Sequence, residues 1–203
     1  MITGIILAAG LSRRFPGNKL LYMWNGKPVI RWTVENALAS RLDEIVVVLG
    51  HDAGRISSVL DDLGIVKVYN PYYMEGMSSS VKTGVRYVWE KYGSDLEAVL
   101  ITPGDTAWIP PEAYNMVIDA FQENKGRKLI FVASYRGRRG HPILFDSVLV
   151  PEILAISEAT RGLKFITRKY YYDTMIVETP YPGVALDLDT YNDLNRVKYM
   201  LKK

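Results

Sequence analysis

The sequence contains no cysteine among its 203 residues. That excludes disulfides, thiolate metal sites and a cysteine nucleophile. Histidine is nearly as scarce. His51 and His141 are the only two, too few for a three-histidine zinc site within this chain. No run of 18 apolar residues occurs, so no transmembrane helix is expected. The N-terminal stretch lacks a basic region followed by a full-length apolar segment. No signal peptide is read there, and a cytoplasmic location is the expectation. A strong charge of one sign is missing too: 25 Lys and Arg oppose 22 Asp and Glu, a net of +3. That balance does not fit a nucleic-acid-binding protein. No internal repeat, low-complexity tract or linker interrupts the chain.

What is present is a globular pattern. Hydrophobic residues make up 48% of the chain, enough for a sizeable core, and the length suits one domain over residues 1–203. Unbroken apolar runs at Ile2–Leu7, Glu44–Leu49, Ile65–Tyr69, Ala98–Thr102 and Leu129–Ser134 read as strands buried on both faces. Amphipathic stretches lie between them at Pro28–Ala39, Ala53–Leu63, Ser78–Tyr92 and Pro111–Asn124. Gly64 and Gly93 stand where a helix C-terminus favours glycine. Strand–helix alternation predicts a three-layer α/β/α sandwich with a mostly parallel sheet. After residue 134 the rhythm changes. Residues 136–140 read as a turn into a strand at Pro142–Phe145, a late β-hairpin excursion. A helix over Ser147–Ile156, a strand over Thr174–Glu178 and a helix over Thr190–Leu201 follow.

The loop after the first strand is the most informative segment. Leu7-Ala8-Ala9-Gly10 leaves the backbone open to close approach, and its amides can face phosphate oxygens. Arg13, Arg14 and Lys19 concentrate positive charge there. The spacing matches neither the dinucleotide fingerprint nor the P-loop, because Gly10 and Gly17 are too far apart and Leu20 follows the lysine. Leu-Ala-Ala-Gly-x-Ser-x-Arg-Phe, then Lys19 and Gly26-Lys27-Pro28, resembles the signature of nucleotidyltransferases with a GT-A-like, Rossmann-like fold. Within them it is most similar to the molybdenum cofactor cytidylyltransferase-like group. The resemblance implies that the loop wraps a nucleoside triphosphate and that Arg14 and Lys19 neutralise it, with Arg13 at a variable position.

Further segments carry polar groups that suit the same chemistry. Gly76 and the serines 78–80 open a helix, where free amides and hydroxyls bind phosphate or ribose, or simply cap. By the resemblance, Gly76, Ser79 and Ser80 contact the nucleoside. Asp105 follows the fourth strand at the end where α/β sheets bind ligands, and Mg²⁺ takes one or two carboxylates there. The resembled pattern is Gly-Asp-x-Pro with a metal-binding aspartate; Ala107 replaces its proline. Asp187 and Asp189 point the same way on an extended segment. Asp187 is favoured as the second metal ligand, with Asp189 the alternative; Asp189 or Thr190 otherwise caps the last helix. Arg138, Arg139 and His141 lie in a Gly-x-x-Gly-x-Pro turn that the resemblance places on the acceptor side, and arginines suit a phosphorylated acceptor. Lys164 belongs there as well. Thr160 and Lys164 stand where the pattern has aspartate and arginine, and lysine lacks arginine's bidentate geometry.

The implied reaction is Mg²⁺-dependent cytidylyl transfer from CTP to a molybdopterin-type cofactor, with a molybdoenzyme as recipient. Ala9 is the clue to CTP, since guanylyl-transferring relatives tend toward Leu-Ala-Gly-Gly. Two alternatives stand beside it: a sugar or polyol phosphate acceptor, and a nucleotide-binding protein without turnover.

Overall fold

In the computed structural model, which describes residues 1–200, β1 (Ile2–Ala8) is an interior strand, third in order, of a seven-stranded sheet. A short ribbon of β2 (Met23–Trp24) and β3 (Lys27–Pro28) precedes α1 (Val29–Leu38). The chain continues through β4 (Glu44–Leu49), α2 (Ala53–Ser58), β5 (Val66–Tyr69), α3 (Met77–Tyr92), β6 (Ala98–Pro103), α4 (Pro111–Asn124), β7 (Ile130–Tyr135) and β8 (Arg138–Asp146). It ends with α5 (Val150–Leu154), α6 (Leu163–Lys169), β9 (Thr174–Glu178) and α7 (Asp193–Met200). The strand order is β5-β4-β1-β6-β8-β7-β9. Only β8 runs antiparallel to its neighbours.

Strand alternation divides the core in two. Ile6, Val47 and Leu100 face α1, α2 and α4. Ile5, Val46, Val48, Val99 and Ile101 face α3, α5 and α6. On α3, Val81, Val85 and Val88 recur at helical spacing and are all buried, which places the apolar stripe of that helix on the sheet. A third cluster joins Phe15, Trp108, Leu188, Leu194 and Val197 beneath the loop that follows β1.

The three-layer sheet matches the expectation, and three local differences have physical reasons. The hairpin strand begins at Arg138, earlier than the apolar run from Pro142. Arg136 (φ 50°) and Gly137 (φ 74°) form a two-residue left-handed turn that pairs Tyr135 with Arg138, and such turns match strand twist. The helix α2 stops at Ser58, whose hydroxyl donates back to the Gly54 carbonyl; serines compete in this way with helix continuation. The expected helix from Thr190 begins at Asp193 instead, and its expected end, Leu201, lies outside the described residues. Asp193 accepts from the Thr190 amide (2.6 Å) and hydroxyl (2.9 Å). This is a capping-box contact, so Asp189 is not the cap. The helix α6 had no counterpart in the sequence reading.

Candidate active site

The parallel strands β1, β4 and β6 end side by side, with Leu7 in register with Val48 on one side and Pro103 on the other. The carboxyl ends of β1 and β6 line a cleft of about 710 Å³. This is the place where open α/β sheets bind ligands, since the loops diverge there.

The wall from β1 is held from behind. The Ala9 carbonyl accepts from the His51 amide at 3.2 Å, and the buried Asn18 accepts from the Leu20 amide and donates to Asp52. Phe15 packs edge-on against Tyr22, with ring centroids 5.6 Å apart, and tilted against Tyr191 at 6.1 Å. The loop therefore presents Arg14 and Lys19 from a fixed base. The Lys19 ammonium donates to Asp105 and lies 3.5 Å from Asp189. Arg14 pairs with Asp189 at 3.0 Å.

Asp105 is 5% exposed. Burial pushes its carboxyl upward, Lys19 pulls it down, and the nearby Asp187 pushes it up again. Burial likewise keeps the His141 imidazole low, against the pull of Asp187 and Asp105, and its Nδ1 is enclosed without a partner. Lys19 is thus shared between the carboxylates of Asp105 and Asp189. Hard oxygen donors with surplus negative charge fit a divalent ion such as Mg²⁺. Among the described residues no three acidic or histidine side chains form a closed metal cage.

Of the residues singled out from the sequence, Leu7, Ala9, Gly10, Arg14, Lys19, Gly76, Ser80, Asp105, His141, Lys164, Asp187 and Asp189 line this cleft. Four do not. Ala8 points into the core. The Ser79 hydroxyl is turned away, donating to the carbonyls of Tyr72 and Gly76. Arg138 and Arg139 lie at the exposed tip of the hairpin, where the Arg139 guanidinium sits 5.8 Å over the Tyr171 ring. The left-handed turn places them at the start of β8, and His141 is the residue of that strand that lines the cleft.

The structure adds residues that the motifs passed over. Tyr73, Met74 and Met77 also line the cleft, and both methionines are more than 60% exposed. Such exposed sulfur and aromatic groups before a helix were the available signal. Asn70, fully buried, donates to both Ser79 and Ser80 at 2.9 and 3.0 Å, and so sets the start of α3. The candidate ligands Asp187 and Asp189 come from the strap before α7, far along the chain from Asp105.

Comparison with known proteins places this geometry in context. The family model "MobA-like NTP transferase domain" matches residues 4–174. The molybdenum cofactor cytidylyltransferase of Escherichia coli (strain K12) is 26% identical over 200 residues, covering 96% of this chain and 94% of that protein. The probable molybdenum cofactor guanylyltransferase of Thermococcus sibiricus is 33% identical over 122 residues, or 60% of this chain. That match spans 56% of the relative, little more than half its length. A nucleotidyl transferase structure from Methanothermobacter thermautotroptrophicus shares the fold, with a TM-score of 0.83 at 24% identity over 100% of this chain and 98% of that one. No helix among the described residues is long and apolar enough to cross a membrane.

Proposed function

This chain belongs to the MobA-like NTP transferase family, and from that premise we propose that it transfers CMP from CTP to a molybdopterin-type cofactor, releasing pyrophosphate. The observation that carries the reading is the web of Arg14, Lys19, Asp105 and Asp189 at the strand ends. Its cations are already gathered at one point and held by carboxylates that a triphosphate can replace.

The residues then act by position and charge. Arg14 and Lys19 exchange Asp189 for phosphate oxygens and stabilise the leaving pyrophosphate. The backbone of Ala9 and Gly10 borders the triphosphate, and Ser80 and Gly76 border the nucleoside. His141 and Lys164 face the acceptor, whose phosphate oxygen attacks the α-phosphorus in line. No covalent nucleophile is needed. Asp105 and Asp187 would hold Mg²⁺, which supplies neutralisation of phosphate charge when bound.

Cytidine is favoured over guanosine by two observations. Ala9, the sequence clue to CTP, lies in the loop that lines the cleft. The cytidylyltransferase relative also aligns over 96% of the chain, the guanylyltransferase over 60%. A molybdoenzyme would be the recipient of the product. Lys164, in place of the arginine of the resembled pattern, favours as second reading a sugar or polyol phosphate acceptor.

The test is pyrophosphate release from CTP, GTP, ATP and UTP with Mg²⁺, with the pterin or with sugar phosphates. Release from CTP that requires the pterin, and that falls by about 100-fold or more in Asp105→Ala, is the expected result. Release with sugar phosphates alone discards the cofactor, and nucleotide binding without release under every condition discards turnover.

A further inference from the structure

Between α5 and α6 runs a strap, residues 155–162, and just after it Lys164, in the first turn of α6, reaches the cleft. Thr160, which stands where the resembled pattern has an aspartate, folds the strap on itself. Its hydroxyl donates to the Ser157 carbonyl at 2.9 Å and accepts from the Ser157 amide at 3.0 Å. The carboxylate of the strap is instead Glu158, two residues earlier. Its Oε1 accepts from the Ser78 amide at 2.7 Å, in the first turn of α3.

That contact is built into the backbone of both sides. A Cβ on Gly76 would lie 2.5 Å from the Glu158 carboxyl carbon, and Gly76 holds φ at 110°. The carboxyl therefore occupies the space that any other residue at 76 would fill. Gly162, buried and at φ 56°, brings the strap to α3 a second time; a Cβ there would stand 3.0 Å from the Ser78 hydroxyl. A carboxylate at the start of a 16-residue helix also meets the positive end of its dipole, and a charged acceptor strengthens the hydrogen bond. Gly76, Met77 and Ser80 line one wall of the cleft, and Lys164 follows the strap directly, in the first turn of α6.

We propose that Glu158 is a positioning residue. It ties the acceptor strap to the nucleoside helix and so fixes Lys164 relative to the bound nucleotide. It touches neither substrate; it acts through the Ser78 amide and through the path of the strap. This rests on the acceptor-side role given to Lys164 above.

The test compares Glu158→Ala, Glu158→Gln, Lys164→Ala and the double variant Glu158→Ala/Lys164→Ala by pyrophosphate release. Glu158→Ala is expected to raise the KM for the acceptor about tenfold, the scale of one hydrogen bond to a charged group, with the KM for CTP nearly unchanged. Glu158→Gln keeps an oxygen for the Ser78 amide and should restore most of it. On the Lys164→Ala background, Glu158→Ala should add nothing, since coupled residues are not additive. Equal losses on both backgrounds, or an effect on melting temperature alone, overturn the proposal. Amide exchange of the ligand-free protein separates this from the functional reading. In Glu158→Ala, but not Glu158→Gln, residues 155–162 should exchange about tenfold faster; equal rates overturn the tie. A parent protein inert toward CTP and every acceptor discards the functional reading, and the exchange comparison still decides for or against Glu158.

Discussion

Asp105 shows how the fold changes the chemistry of a single side chain. In the sequence it is one aspartate after a strand; in the structure, burial outweighs Lys19 and raises its carboxyl above the ordinary value of 3.8. The sign of the consequence follows from proton linkage. A carboxyl raised on folding binds its proton more tightly in the native state, so its contribution to stability is present below 3.8 and is lost as pH rises through the folded value. At neutral pH the ionised group therefore opposes folding of the ligand-free protein. Asp105→Asn is expected to melt higher than the parent at pH 7 while losing turnover, and the gap should close as pH falls toward 4, roughly the ordinary aspartate value. A calorimetric pH series reads this; a variant that melts lower at pH 7 would mean that the Lys19 pair outweighs burial. Lys19 and Asp105 were both legible as residues because they sit in spaced motifs. Their pairing was not, because 86 positions separate them.

Turns and strands were legible where a backbone rule governs them. Gly137 after Arg136 marks a hairpin, since both residues adopt positive φ. The tip arginines were misplaced because a sequence motif does not say how far along a strand the cleft begins. Glycines divide in the same way. Gly140 looks like one more turn residue, yet a Cβ there would stand 1.7 Å from the Val184 carbonyl oxygen, where the segment Pro182–Ala185 crosses β8. Gly10 has nothing within 4 Å of that position. Gly140→Ala is expected to lower stability by about 1–3 kcal/mol through overpacking. Gly10→Ala should stay within about 0.5 kcal/mol, as open surface sites do. Urea midpoints compare the two, and equal midpoints would show that the crossing segment yields freely. The helix α6 escaped detection because only Ile166 of its seven residues is buried, too little periodicity to register.

At the scale of the molecule, the two sides of the sheet are joined at the cleft. The first loop, the start of α3, the start of α6 and the strap before α7 all meet there, so a ligand that bridges them should stabilise the whole domain. CTP with Mg²⁺ at 100 times its Kd would add about 2.7 kcal/mol, a rise in Tm of roughly 5–10 °C for a chain of this size. The rise should disappear in Asp105→Ala, and a full rise in that variant would move metal-assisted nucleotide binding elsewhere.

The sequence by itself determined the three-layer order, most of the strands and helices, and the loop after β1 that lines the cleft. These depend on local periodicity and on backbone rules that act within a few residues of one another. The tertiary structure decided which charges meet. It paired Lys19 with Asp105, set Asp189 against Arg14 and gave the Thr190 amide ahead of α7 to the Asp193 carboxylate. It also turned Ser79 inward and carried Glu158 to the start of α3. Those contacts join residues distant in the chain or choose among equivalent polar groups nearby. Burial and strand register make that choice, and neither is encoded in a short stretch of sequence.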